Sequence, residues 1–492
     1  MSITDSQECR LAARLRAISR VALLVMLPLV FYFTSRGTWD PREQNLEPAW
    51  SAGFFASQAT SILHGRLDVA PADIVGECFD RDGRCYGYFG VTPSLVRLPL
   101  LGILRYVRSA LTPIFLGFAV LAAYWAALEM LQRSLRASPG AGQSPRLALG
   151  YCGLCAAALG PGGSLIFVTR PAVYEEAIAW GVAFVLLAFN HVWAWHSGER
   201  RSLVPAVFYG IAAANARPTA AVACAVLGAT VVAGWYRARR RRAADPTFAI
   251  ARPGTRAVLV AGLCLSLAPG LTAAGVFWLK LRSPMPSPLL NQQVAQEPHW
   301  QAIRQRNGGR TAGLVFAPTE LVAYFRPDAV VRRRDWPWFD FRFPDVPILW
   351  VPPLAEGGAY VERVSSLTAT MPLPWMINLL VAGWLARRAF KLARGMGGGP
   401  SSTTADQWLL EAGLLASAGA MPLLILTTHG ITNRYLADFF AISAVGAALG
   451  PPVVLPWLAR RPILAAAAGV VAFLLVFWSV VVTVSLNTRL VF

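Results

Sequence analysis

The chain has 492 residues, 55% of them hydrophobic, 11% aromatic and only 14% charged, which is too apolar for the surface of a soluble domain. Its formal net charge of +19 raises nucleic acid as a partner, but the basic residues stand in short runs beside apolar segments, so no nucleic acid is expected. Apolar windows close to the ~20 residues that a bilayer core demands recur along the whole length, which a lone signal peptide does not explain.

The expected fold class is therefore an all-α polytopic membrane protein. Arg10, Arg14, Arg16 and Arg20 hold residues 1–17 in the cytoplasm, and residues 18–34 cross outward. Residues 35–108 then form a long outer loop. In it Phe54, Phe55, Gln58, Ile62 and Leu63 fall at helical spacing, an amphipathic helix expected to lie at the membrane interface. Beyond it, ECFDRDGRCYGYF places Asp82-Gly83 between two aromatic-bearing arms, a hairpin signal, with Cys78 and Cys85 a candidate disulfide.

Further crossings are expected at 111–131, 147–168, 174–195, 204–216, 219–235, 257–279, 373–385, 408–426, 436–457 and 463–482. That makes about eleven helices, several short for a span. Residues 18–279 form the membrane core with its outer loop, 280–371 a small outer cap or loop, and 372–492 the C-terminal membrane helices. RARRRR ending at Arg242, and Arg387, Arg388, Lys391 and Arg394, fall inside on this orientation, while 19 of the 26 carboxylates fall outside. Carboxylates contribute little to topology, so their concentration there asks for a functional or solubility explanation.

Short motifs exclude more than they identify. YCGLC at Cys152 and Cys155 lies in an apolar helix, where small-residue packing explains it better than redox or metal work. There is no Walker loop, GxSxG, HExxH or zinc-spaced cysteine set, so soluble nucleotide chemistry is unsupported and no metal ligands are assigned. The informative residues stand at the outer helix ends: Arg170, Glu175 and Glu176 in TRPAVYEEAIAW, Arg217 in NARPT, and Arg434 and Asp438 in NRYLADFF. Ionisable groups at such depth are costly and face a cavity or a partner. On a helix Arg434 and Asp438, four apart, would share a face and could pair, and an arginine suits the oxygens of a lipid-linked phosphate.

This arrangement resembles the GT-C superfamily, multi-span glycosyltransferases that take a sugar from a polyprenyl phosphate or diphosphate at the outer face. The resemblance covers the first outer loop, the helix pairs carrying RPAVYEEA and NARPT, and NRYLADFF. It implies an inverting transfer, with a carboxylate near the start of the first outer loop as base, where Asp40, Glu43 and Glu47 stand; Glu47 or Asp40 is the expected one. In the aminoarabinose and protein mannosyl transferase branches these carboxylates lie nearer the aromatic of the interfacial helix than Glu47 does to Phe55. Those branches also carry a Lys-Pro-Pro element for carrier phosphate, where this chain has Thr92-Pro93; either Arg97, one turn later, replaces that charge or phosphate is held differently. The resemblance further implies that Arg434 contacts carrier phosphate; Arg217 with Glu175 is expected to shape the cavity, and Asp438 is a further candidate for binding substrate.

The expected partners are a polyprenyl-phosphate-linked sugar and membrane lipid, and the expected location is the cytoplasmic membrane, N-terminus inside and active face outside. A divalent cation is left open as cofactor, and the cap aromatics Trp300, Trp336, Trp338 and Phe339 suit either sugar stacking or a small core of their own. The competing expectation is a transporter or flippase of a lipid-linked sugar or other amphiphile, acting without chemistry.

Overall fold

The computed structural model describes residues 3–41, 53–74, 76–104, 111–168, 171–199, 203–244, 256–284, 292, 298, 301–302, 305, 313–342, 360–361, 364–394, 402–427 and 430–491. Long apolar runs dictate its architecture, because a buried backbone must bond within its own segment, and the helix is the form that does so. The principal helices in chain order are α1 (Ile3–Thr34), α2 (Phe54–Leu63), α3 (Thr92–Arg97), α4 (Leu111–Ala137), α5 (Pro145–Leu159), α6 (Val173–His196), α7 (Val204–Ala214) and α8 (Ala220–Ala244). They continue as α9 (Arg256–Leu281), α10 (Ala317–Phe325), α11 (Pro372–Ala393), α12 (Ser402–Ile425), α13 (Phe440–Leu449), α14 (Pro451–Ala459) and α15 (Pro462–Val491). The chain is a multi-pass membrane protein: among the described residues eight helices have the length and apolar run of a span, nine if the bent pair 433–449 and 451–459 counts as one.

Two of the roughly eleven expected crossings do not reach that standard. The helix expected at 204–216 is only 11 residues long in α7, about 16 Å of rise against a ~30 Å hydrocarbon core. The one expected at 373–385 lies in α11, whose last turns carry Arg387, Arg388 and Lys391. Both run alongside the full spans.

Successive helices run back and forth between two ends. At one, here the loop end, stand the C-terminal turns of α1, α9 and α15 and the N-terminal turns of α4 and α6. At the opposite end Arg133 of α4 binds Glu199 at 2.7 Å and the Asn190 side-chain oxygen at 2.9 Å, and Arg388 of α11 meets Glu411 at 3.2 Å.

The bend between α13 and α14 has a local cause. Pro451 has no N–H for the carbonyl of Ala447 four residues earlier, which would otherwise be left unpaired in the core. Tyr151 of α5 supplies the missing donor, its hydroxyl reaching that oxygen at 2.8 Å. Tyr151→Phe is therefore expected to cost about 1–3 kcal/mol, the penalty for stranding a buried acceptor, measurable as a lowered Tm of the purified protein.

At the loop end, strands β1 (Phe79–Arg81) and β2 (Arg84–Tyr86) pair antiparallel around Asp82-Gly83. Both turn residues have positive φ, 54° and 71°, as a two-residue hairpin of this hand requires. Cys78 and Cys85 are joined as a disulfide across it. α2 is present, but its aromatic face is turned into the protein: Phe54 and Phe55 are fully buried against Phe89, Val173 and Ala177, and Leu63 is left exposed. Apolar spacing marks a buried face without saying whether lipid or protein covers it.

The cap contributes α10 and a second hairpin, β3 (Val330–Arg332) with β4 (Phe339–Phe341). A short parallel pair joins β5 (Tyr360–Val361) to β6 (Gly430–Ile431).

Candidate functional site

The long loop that follows α1 is clamped onto the helix ends by its own backbone. Lys280, fully buried at the end of α9, donates to the carbonyls of Gly87 and Phe89 at 3.0 and 2.5 Å. Arg81 returns the contact by capping the last α9 carbonyls, of Leu279 and Lys280, at 3.1 and 3.0 Å. With its amide oxygen turned toward Lys280, Gln58 of α2 accepts from that ammonium at 2.8 Å and donates to Ser94 at 2.7 Å. Thr92 N–H bonds the Asn215 carbonyl at 3.0 Å, an approach that needs Gly90, since a side chain there would collide with that same oxygen. The loop therefore docks on the tip of the NARPT hairpin.

The 433–439 segment is placed from the other side. Tyr324 of α10 is fully buried, and its hydroxyl bonds both backbone groups of Thr432, accepting from the N–H at 3.1 Å and donating to the carbonyl at 3.2 Å. Asn433 Oδ1 accepts from Ser365 N–H at 3.2 Å. These bonds, with the β5–β6 pair just before them, fix the chain where Arg434 leaves it.

From there the chain winds into a 3-10 helix, Asn433–Phe439. With three residues per turn, positions four apart no longer share a face, and the expected pairing of Arg434 with Asp438 gives way to another. Asp438, fully buried, takes Arg217 of the NARPT tip at 3.0 Å. The Arg217 guanidinium also lies 5.4 Å from the Tyr435 ring. Arg434 lies over the Tyr174 ring at 4.0 Å, and the Tyr174 hydroxyl donates to Glu77 Oε1. The other Glu77 oxygen has no hydrogen-bond partner among the described residues. Burial pushes the Glu77 carboxyl up to about 7, against the opposing pull of the Arg434 charge. Burial together with the neighbouring Glu77 carboxylate likewise holds the Tyr88 phenol well above its ordinary range.

The loop end thus carries a continuous polar cluster running Glu77, Tyr174, Arg434, Tyr435, Arg217, Asp438. Two cations, two carboxylates and phenol rings in one place suit an anionic group that needs charge and an apolar wall.

The other sequence candidates fare differently. Arg97 is 1% exposed and sealed against Glu176, to which both terminal nitrogens donate, the second at 2.6 Å. The rings of Phe115 and Phe55 flank it at 4.6 and 5.3 Å. Its forked face is engaged inside the protein, so it does not present itself to phosphate. Glu175 is buried in the first turn of α6, next to Tyr174. Asp40 is half-buried on the turn after α1, its N–H bonded to Thr38 Oγ1 at 3.1 Å. Glu43, Glu47, Arg170 and Trp300 lie outside the described residues.

Glu77, Tyr174 and Tyr435 were missed as site residues by sequence reasoning. Their signal was adjacency: Glu77 precedes a hairpin cysteine, and both tyrosines touch motifs chosen for other residues. Among the described residues no group of three or more His, Cys, Asp or Glu side chains is placed to hold a metal ion. No family model, curated protein or solved structure matches the chain.

Proposed function

We propose that the protein transfers a sugar from a polyprenyl-phosphate carrier to an acceptor at the extracytoplasmic face of the cytoplasmic membrane, as an inverting glycosyltransferase of GT-C type. The observation that carries this reading is the gathering of Arg434, Arg217, Asp438 and Glu77 at the end of the bundle bearing the long loop and the cap. The orientation is supported by the basic runs at Arg10–Arg20 and Arg237–Arg242, which fall at the opposite end, as expected of the cytoplasmic side.

In this reading the acceptor hydroxyl attacks the anomeric carbon while a carboxylate takes its proton, and the bond from that carbon to the carrier phosphate oxygen breaks with inversion. Negative charge grows on the departing phosphate, and Arg434, supported by Arg217, meets it. Phosphate leaves well without strong acid assistance. Glu77 joins Asp40 and Glu47 as a candidate base, with the advantage of a carboxyl tuned toward neutral pH and a buried oxygen that no hydrogen bond engages among the described residues.

The test is a transfer assay on purified protein in lipid with a panel of radiolabelled polyprenyl-phosphate sugars, comparing wild type with Glu47→Gln, Glu77→Gln and Arg434→Ala. Label moving to acceptor or water in wild type, and lost in Arg434→Ala, supports the enzyme. A second reading, a flippase for the same amphiphile, draws on the broken helix at Gly450, at the far end of the helix that follows the cluster. Carrier translocation without product would favour it.

The pH profile separates the bases. With Glu77 as base, the rate rises with pH through about 7 as that carboxyl ionises and the limb vanishes in Glu77→Gln. Stability runs the other way, because a raised carboxyl costs nothing below its ordinary range and most once charged, so the Tm should fall from pH 5 to 8. A flat rate between pH 6 and 8 would return the role to Asp40 or Glu47.

A further inference from the structure

Away from the Arg434 cluster, a cleft of about 490 Å³ opens between the β3–β4 hairpin tip and the loop-end turns of α1 and α15. We propose that it binds one anionic membrane phospholipid. Its walls change character along the helix axes. Leu29 of α1 and Val484 of α15 line the deeper part, and one turn further out the polar groups of Tyr32, Thr488 and Arg489 join Phe33. Apolar toward the bilayer centre and polar toward its surface is the order of a phospholipid's own chain and headgroup. The neighbouring faces of both helices carry exposed apolar side chains, Leu27 and Phe31 on one and Phe473 and Phe477 on the other, which in a membrane-spanning chain meet lipid.

Charge decides which lipid. Asp340 Oδ2 lies 3.2 Å from Arg333 Nη1 and 3.4 Å from Arg489 Nε, so a single carboxylate stands between two guanidiniums. Arg332 and Arg334 are exposed on the same hairpin, with Asp335 beside them. The rim is therefore net positive, and an anionic headgroup complements it where a zwitterionic one does so less well. Trp336 and Trp338, 52% and 48% exposed with ring centroids 4.9 Å apart, form the outer lip, where amphipathic indoles favour the membrane–water boundary. The hairpin would then be held at the bilayer surface by the lipid it helps to bind.

Native mass spectrometry of the full chain, delipidated in detergent and titrated with phosphatidylglycerol or phosphatidylcholine, tests this. Wild type should retain phosphatidylglycerol preferentially, and Arg333→Gln with Arg489→Gln should reduce that retention at least about fivefold while leaving phosphatidylcholine unchanged. Trp336→Ala should weaken both lipids. All three side chains are substantially exposed, and an unchanged Tm confirms folded variants. Equal retention of the two lipids by wild type, or undiminished phosphatidylglycerol retention in the double variant, overturns the proposal. So does one-for-one displacement of phosphatidylglycerol by polyprenyl phosphate, which would make the cleft part of the carrier's path. None of these outcomes depends on whether sugar is transferred.

Discussion

Arg434→Ala is expected to lower sugar transfer by about two to three orders of magnitude, the scale on which one preorganised donor to a developing negative charge is lost, while the protein stays folded. Its side chain is half-buried and lies over the rings of Tyr174 and Tyr435 at 4.0 and 5.9 Å. Such contacts contribute only about 0.5–2 kcal/mol. The backbone that carries it is fixed independently, by Tyr324 on Thr432 and by Ser365 on Asn433. Arg434→Lys keeps the charge but not the planar fork, so partial activity is expected of it. Initial rates and Tm, measured on the same preparations, check the pair of claims. A rate within threefold of wild type for Arg434→Ala would move the phosphate to Arg217 or away from this cluster.

How much of this was readable in the chain depends on how far apart the partners lie. The long helices were legible because a bilayer demands a run of apolar residues that has no other use, and the Asp82-Gly83 hairpin was legible because its turn needs two positive φ angles. The helix-end motifs were legible as places, since arginine and carboxylate residues between apolar runs cannot point into lipid. Their pairings were not. Asp438 meets Arg217 across 221 residues and Glu176 meets Arg97 across 79, and nothing in a single sequence connects such positions. The local expectation, Arg434 with Asp438, assumed an α-helical turn where the chain tightens to three residues per turn. Glu77 was one of eight carboxylates in the long loop that follows α1, and what distinguishes it is burial beside Tyr174, which tertiary packing sets. α7 shows the limit of hydropathy itself: its 11 residues are as apolar as a span but half as long.

The strongest effect on stability is expected at Arg97 and Glu176, and it separates a structural ion pair from a phosphate site. Both side chains are almost without solvent, at 1% and 0% exposure. Removing one partner leaves a charge in the core with nothing to answer it, so Arg97→Met and Glu176→Leu should each cost about 3–5 kcal/mol. Replacing both at once with apolar groups of similar size, Arg97→Met with Glu176→Leu, removes the attraction and both desolvation penalties together, and should recover most of that loss. Thr112 Oγ1, 3.3 Å from Arg97, and the Pro93 carbonyl, 3.0 Å from it, lose a donor in the double variant, which is why recovery is expected to be incomplete. Tm measurements on the four proteins close the cycle. Transfer activity then assigns the role: a stable double variant with near-normal rate makes the pair a pin between the loop that follows α1 and α6. A stable double variant without activity would return Arg97 to the phosphate, and would require its guanidinium to leave Glu176 when carrier binds.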